Sequence, residues 1–477
     1  MSLPVIHTGK SDKIVVFMAT RNLYDMLPAA YNSLLAYTPL DHVYLLIEDD
    51  KFPHKLPSNV STINVSGQDI FRHDGPNYRT RYSYMILLRA ALTKLFPDLD
   101  RILSMDVDTI THESLSPLWE TDLTSAFFAA VTEPVSYKIY GRPYPNFGIC
   151  MLNLAHLRST GMDDVIINEL NTVPHRFPEQ DAFLKHCGMR FNQLPSDYND
   201  THIGFKITAP TNHTCVTHYA GFNNWSHFPI VQYWLNHTTP PPRSVVYIGN
   251  RRYYPMLSAA AKSLLSHTPV DRVYFLTEDD AFPDKLPSFF TVINVSGQKY
   301  FPQNGPNIHN YYTYMTTMRA ALSKVLPNED RVLLLDPDTI VEDDITPIWA
   351  TDLSYAYFAA VQETRNNDHM PPYYNAGVML MNLAKLREDG MDDRIIAEIN
   401  ARWYKHLEQD VLNFMCKPFI VSLPAEYNAS FVSDPVTHPL ITHYLDRAKR
   451  DLPKAQEKYK DIPWNELKFV KGVNKND

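Results

Sequence analysis

Short runs of apolar residues alternate along the chain with longer stretches in which apolar positions recur at helical spacing. Residues 14–19 and 245–249 predict opening strands, each followed by a helix ending in a Ser-Leu-Leu segment. Residues 43–47 and 273–276 predict second strands, which run into acidic turns at Glu48, Asp49 and Asp50 and at Glu278, Asp279 and Asp280. The spacing over 82–96 predicts a helix, and 101–105 a buried strand arriving at Asp106. This β-α-β-α-β order argues for an α/β fold, a mainly parallel sheet with helices on both faces. Ligands bind beyond the carboxyl ends of the strands in such sheets, where Asp106 and Asp336 would lie.

The same pattern is written twice. Residues 43–68 reappear as 273–298, and 101–110 as 331–340, both at an offset of 230. The offset is 229 at Asn146 and Asn375, and stays so through Gln180 and Asp181, matched by Gln409 and Asp410. A repeat of this length is domain-sized, so the chain is a tandem duplication rather than a solenoid. The break falls near Thr239, Pro240, Pro241 and Pro242, a short and stiff connection, which predicts domains at 1–239 and 240–477.

Composition narrows the class. The chain has 477 residues, 44 % of them hydrophobic, and a formal charge of −9, which excludes disorder. No Lys/Arg run offers the footprint that nucleic-acid binding needs. Cys150, Cys187, Cys215 and Cys416 form no CxxC pair, so neither zinc nor a disulfide framework is implied. No apolar run reaches the roughly 20 residues of a membrane helix. Residues 1–13 carry no apolar signal core, and the expected address is the cytoplasm. Asn-x-Ser triplets at Asn64 and Asn294 are read as structural or chance.

Asp106 and Asp108, like Asp336 and Asp338, follow an apolar strand. Alternation along extended chain lets both carboxylates of Asp-x-Asp project to one side. Two close carboxylates repel unless a cation lies between them, and hard oxygen ligands suit Mg²⁺ or Mn²⁺. A late histidine in each copy, His218 and His443, could complete a metal site with a neutral imidazole.

The ordered set resembles glycosyltransferase family 8. It comprises an Arg 17 residues before the acidic pair, Asp-x-Asp-Thr, Asn-x-Gly before an apolar run, Gln-Asp, Leu-Pro-x-x-Tyr-Asn and a late His-Tyr. In copy one these are Arg89, Asp106/Asp108, Asn146/Gly148, Gln180/Asp181, residues 194–199 and His218; in copy two, Arg319, Asp336/Asp338, Asn375/Gly377, Gln409/Asp410, residues 423–428 and His443. The resemblance implies two tandem GT-A-type, Rossmann-like nucleotide-sugar-binding domains and a retaining, metal-dependent hexosyl transfer from a UDP-sugar to a glycan or lipid-linked hydroxyl. It implies that the two Asp and the His hold Mn²⁺ (or Mg²⁺) against the donor diphosphate, as Lewis acid and template. Arg89 and Arg319 would contact the donor. Asn146 and Asn375 would line the sugar pocket with the catalytic-face residues Gln180, Asp181, Gln409 and Asp410, against a reading as helix caps.

Each copy departs from the family. The strand-1 turn, where the family has Asp against the nucleotide, carries Thr20 or Asn250. Copy one keeps His218, Gly221 and Trp225 but has Asn223 and Asn224 where a Lys belongs; copy two has Asp446 for the Gly, with Arg447 and Lys449 to supply charge. Phe147 replaces the small residue beside the sugar, where copy two has Ala376. Asp368 matches the family's sugar-contacting acid, with Tyr140 in that region of copy one. The second copy is therefore the expected catalyst.

Three alternatives stand beside this reading. In one, a single copy is catalytic and the other is a nucleotide- or glycan-binding relic; in another, both are binding modules whose Tyr137, Tyr140, Tyr311, Tyr312 and Tyr314 stack on sugars. An Asp-x-Asp phosphatase wants Thr or Val where Ile110 and Ile340 stand. The basic stretch 447–460 is compatible with peripheral contact to an anionic membrane, or with a solvated helix face.

Overall fold

The computed structural model describes residues 3–133, 141, 143–201, 214–221, 225–280, 282–308, 314–365, 372–445 and 450–469. The chain divides into two units, Met1–Pro240 and Pro241–Asp477.

In the first unit, strand β1 (Ile14–Met18) lies between β2 (His42–Ile47) and β4 (Arg101–Met105), with β3 (Val60–Asn64) outside β2, all parallel. Alternation explains why these strands are apolar throughout. Ile14 and Val16 pack with Leu88 and Leu92 on one face, while Val15 and Phe17 pack with Leu27 and Leu34 on the other. A sheet covered on both faces leaves no polar side to its central strands. Asn64 and Asn294 close turns at strand ends, each side-chain oxygen accepting the N–H of Ser66 or Ser296.

After a short strand β5 (Thr109–Thr111), the sheet continues through β6 (Phe128–Thr132), β7 (Pro145–Asn153) and β8 (Phe191–Gln193), giving the order β3-β2-β1-β4-β7-β6-β8. β7 is antiparallel to both its neighbours. Its reversal matters for the site. Met105 at the end of β4 pairs with Ile149, so residues 146–148 overhang the carboxyl edge, and the Asp106 N–H donates to the Gly148 carbonyl at 2.9 Å. A separate two-stranded ribbon pairs β5 with β9 (Val216–His218).

The second unit repeats the plan. Its strands are β10 (Ser244–Ile248), β11 (Arg272–Thr277), β12 (Phe290–Asn294), β13 (Arg331–Leu335), β14 (Thr339–Val341), β15 (Phe358–Gln362), β16 (Tyr374–Asn382), β17 (Ile420–Leu423) and β18 (Ile441–His443). The large sheet runs β12-β11-β10-β13-β16-β15-β17, and β14 pairs with β18.

The predicted helix over 82–96 is wound differently. Tyr84–Ala91 is a 3₁₀ segment, followed by one α turn at Leu92–Leu95; the second unit has α-helix at Tyr314–Thr317, 3₁₀ at Met318–Ala321 and α again at Leu322–Val325. The tighter turn common to both carries the buried Arg89 or Arg319. That guanidinium is tethered to the protein, as described below. No helix among the described residues is long and apolar enough to cross a membrane. The basic C-terminal stretch forms the helix Leu452–Lys460, with Leu452 and Tyr459 buried and Lys460 paired to Glu457 on its outer face.

Candidate metal centre and donor site

Asp106 leaves the carboxyl end of β4, and the Thr109 hydroxyl closes the turn by donating to the Asp106 carbonyl at 2.7 Å. The ribbon then brings a distant histidine back: Thr109 pairs with His218, and the Tyr219 N–H donates to the Asp108 carbonyl at 2.9 Å. His218 Nε2 faces Asp108 Oδ1 at 3.4 Å and Asp106 Oδ2 at 3.7 Å. The second unit gives 3.3 Å from His443 Nε2 to Asp338 and 3.6 Å to Asp336. Each set offers three ligand atoms within 4.8 Å of one another.

These sets fit a divalent cation. His443 Nε2 is buried and has no hydrogen-bond partner. Buried polar atoms are rarely left bare, so an orphan aimed at two carboxylates is a ligand in waiting. Burial works against charge on His218, yet the facing Asp108 and Asp106 raise its pKa; burial likewise opposes charge on Asp108, and His218 holds it below the usual carboxylate range. The imidazole packs directly against a glycine. A Cβ on Gly148 would sit 2.1 Å from His218 Cε1, and one on Gly377 2.0 Å from His443 Cε1.

Arg89 stands under the first aspartate rather than in the open. Its guanidinium donates to Asp106, to Ser104 Oγ at 2.9 Å and to Glu179 Oε1 at 2.8 Å. Arg319 donates to Asp336 and to the Ala376 carbonyl at 3.1 Å, and lies 3.2 Å from Glu408. Leu334 replaces Ser104, and Arg319 Nε has no partner. Both arginines are buried and spent on the protein, which is the geometry of a support for the aspartate. Glu179 and Glu408 are the carboxyls that sequence reasoning passed over, although both copies carry them just before Gln-Asp.

Burial pushes Glu179 and Glu408 up to about 7, against the pull of their arginines. A raised folded-state value means that the folded protein holds a proton the unfolded chain releases near pH 4.5. Stability from these groups is present at low pH and lost as pH rises towards 7. Glu179→Gln and Glu408→Gln are expected to gain thermal stability over the parent as pH goes from 5 to 8. The gain should be on the order of 1–3 kcal/mol per carboxyl, at about 1.4 kcal/mol per pKa unit. Melting curves of parent and variants across that range check it; a constant difference would refute it.

Asn146 and Asn375 are buried beside the histidines, not open to a ligand on all sides. Their amides bond Glu133 at 3.0 Å and Glu363 at 2.8 Å, and their oxygens accept the Gly148 and Gly377 N–H groups, each at 2.9 Å. Gln180 and Gln409 lie next to them, their side-chain oxygens accepting from the N–H of Phe147 at 2.9 Å and Ala376 at 2.8 Å. Asp181 and Asp410 reach back to cap their helices, accepting from the Phe177 and His406 N–H groups, and also hold the Tyr144 and Tyr373 hydroxyls.

Phe147 corrects an expectation. It is fully buried between Phe128 and Phe183, with ring centroids at 5.1 and 5.4 Å, and does not project beside the sugar site. Strand alternation sends Asn146 and Gly148 to the site and Phe147 to the core. Tyr314 likewise packs against the core.

Thr20 and Asn250 follow the first strands at the same edge, Thr20 bonded to the Asn22 side chain at 2.5 Å and Asn250 accepting the Arg252 N–H at 3.2 Å. Gly221 takes a left-handed backbone, φ 71°, three residues past His218. Asp368, Lys449, Tyr137, Tyr140, Tyr311, Tyr312, Asn223, Asn224, Asp446 and Arg447 lie outside the described residues.

The profile described as Glycosyl transferase family 8 matches residues 44–227 and again 244–450. The chain belongs to glycosyltransferase family 8. Each unit is a GT-A-type domain, and the duplication repeats the family domain within one chain. A putative glycosyltransferase of Haemophilus influenzae is 23 % identical over 210 residues, 39 % of this chain and 62 % of that protein. Glycosyltransferase GlyE of Streptococcus pneumoniae is 27 % identical over 256 residues, 47 % of this chain and 57 % of that protein. The chain thus spans about 60 % of the length of these relatives. Among solved structures, galactosyltransferase LgtC in complex with donor and acceptor sugar analogues aligns over 46 % of this chain and 98 % of its own, at 23 % identity and a TM-score of 0.36.

Proposed function

We propose that the protein is a retaining, metal-dependent hexosyltransferase that uses a UDP-sugar and a glycan or lipid-linked hydroxyl acceptor, with the second unit as the catalyst. The observation that carries this reading is the convergence, in each unit, of two aspartates and a histidine at the carboxyl edge of a family 8 domain. Asp106, Asp108 and His218, and Asp336, Asp338 and His443, would hold Mn²⁺ or Mg²⁺, which when bound neutralises the diphosphate leaving group.

The chain's own groups do the rest. Arg89 and Arg319 orient the first aspartate of each pair. Gln180 and Gln409, anchored on the neighbouring strand, lie at the sugar face. Asp181 and Asp410 fix the helices that carry those glutamines. Thr20 and Asn250 would meet the nucleotide at the first strand; Gly221 and Lys449 are assigned to the donor and Asp368 to the sugar on sequence alone. Preference for the second unit rests on Lys449 and Asp368, since Phe147 no longer argues against the first. Family membership replaces the phosphatase alternative.

Calorimetric titration of UDP into metal-stripped protein, with and without Mn²⁺, tests the reading. Two Mn²⁺-dependent sites per chain are expected. One site would mean a single working unit beside a relic, and none would overturn metal-dependent transfer.

A further inference from the structure

Behind each histidine runs a chain of buried side-chain bonds that the proposed chemistry does not use directly. In the first unit His218 Nδ1 bonds Asn199 Oδ1 at 2.8 Å, Asn199 Nδ2 donates to Asn146 Oδ1 at 2.8 Å, and Asn146 Nδ2 donates to Glu133 at 3.0 Å. In the second, His443 bonds Asn428 at 2.9 Å, Asn428 donates to Asn375 at 2.9 Å, and Asn375 donates to Glu363 at 2.8 Å. The distances agree within 0.2 Å although neighbouring positions have diverged, Ser104 to Leu334 and Phe147 to Ala376. Asn199 and Asn428 are fully buried.

The direction of every bond is forced from one end. The Gly148 N–H can only donate, so the Asn146 atom facing it is the oxygen. That oxygen also faces Asn199, which must therefore donate through Nδ2 and turn its own oxygen to the imidazole. An oxygen acceptor at Nδ1 requires Nδ1 to carry a proton, which in the neutral ring, the form that binds a metal, leaves Nε2 as a bare lone pair facing the two aspartates. Gly377, Asn375 and Asn428 impose the same order on His443. The carboxylate of Glu133 or Glu363 anchors the outer amide.

We infer that Asn199 and Asn428 are positioning residues of the metal centres: they fix the histidine in the tautomer whose Nε2 can bind a divalent cation, with Asn146–Glu133 and Asn375–Glu363 holding them in register. Partners at the far nitrogen of a metal-binding histidine commonly govern affinity by about 10–100-fold. In the second unit the chain branches, because Gln409 Nε2 also reaches Glu363, at 3.2 Å. One carboxylate there orients both the metal-side amide and the sugar-face glutamine.

The inference rests on the metal reading above, and the experiment separates the two. In the two-unit chain carrying Asp106→Asn and Asp108→Asn, only the second centre remains. Mn²⁺ alone is titrated and followed by EPR, with pulsed EPR reading the ¹⁴N coupling of a coordinated imidazole. The parent should bind one Mn²⁺ with that coupling. Asn428→Ala should bind it about 10–100-fold more weakly and lose the coupling. Asn428→Asp keeps an oxygen towards Nδ1 while giving up the amide that donates to Asn375, so it should retain the coupling at some loss of affinity, which a purely structural role for the amide does not require. It also carries the test should the alanine variant fail to fold. A parent that binds no Mn²⁺ overturns the metal reading and the inference with it. A parent that binds with ¹⁴N coupling, beside an alanine variant equal to it in both readouts, overturns the inference alone, as does loss of coupling in Asn428→Asp.

Discussion

Asp336→Asn combined with Asp338→Asn is expected to lower transfer by about 10³-fold or more, the scale set by removing groups that answer charge developing in a transition state. The pair should also remove one of the two Mn²⁺-dependent UDP sites. Asparagine keeps an oxygen facing Arg319, and Glu408 stays 3.2 Å from the guanidinium, so the fold should survive. The matching change at Asp106 and Asp108 should abolish the other UDP site and leave most of the transfer. Progress curves with a donor identified by screening, read beside calorimetry, decide it. Full transfer by the Asp336/Asp338 variant would refute the assignment of catalysis to the second unit.

Gly377→Ala should be nearly as damaging by a purely steric route. The added carbon would lie 2.0 Å from His443 Cε1 and 2.5 Å from Nδ1. The backbone cannot retreat, since the Gly377 carbonyl accepts from Asp336 N–H and its N–H donates to Asn375. The imidazole must therefore leave its place. Mn²⁺-dependent UDP binding at that unit should fall at least about 100-fold, beyond the usual effect of losing only a histidine's supporting partner. Overpacking should cost about 1–3 kcal/mol, a fall of several degrees in melting temperature. Gly297→Ala, with open space around its Cβ, is the control and should change neither. Unaltered metal-dependent binding in Gly377→Ala would show that the histidine is not a ligand.

Chemistry that depends on residue type was legible in the sequence; chemistry that depends on direction was not. Asp-x-Asp after an apolar strand and a late histidine announce themselves, because few residues suit a hard cation and their order survives divergence. Strands β1, β2 and β4 were equally plain, since they run as apolar segments between punctuating turns. The direction of β7 was hidden because a short apolar run reads the same whether it lies parallel or antiparallel. Its reversal decides that Asn146 and Gly148 overhang Asp106 while Phe147 turns to the core. The place of Arg89 was hidden for another reason: its partners Ser104, Asp106 and Glu179 stand 15, 17 and 90 residues away, and no local pattern encodes such a tether. Asn199 was visible within Leu-Pro-x-x-Tyr-Asn but had no role until its amide was found between the histidine and Asn146.

The ribbon that delivers each histidine also sets a clock. Thr109 and His218 are neighbours across β5 and β9 yet lie 109 residues apart in the chain, and Thr339 and His443 lie 104 apart. At about 5–20 residues per second, a ribosome needs roughly 5–20 s between making the two carboxylates and making their third partner. During that interval the nascent unit can present an acidic pair but no complete cage, and the imidazole arrives only when nearly the whole unit has emerged. Tight capture of the ion is thus a late event in the birth of each unit, and the first would be ready for its metal while the second is still being synthesised.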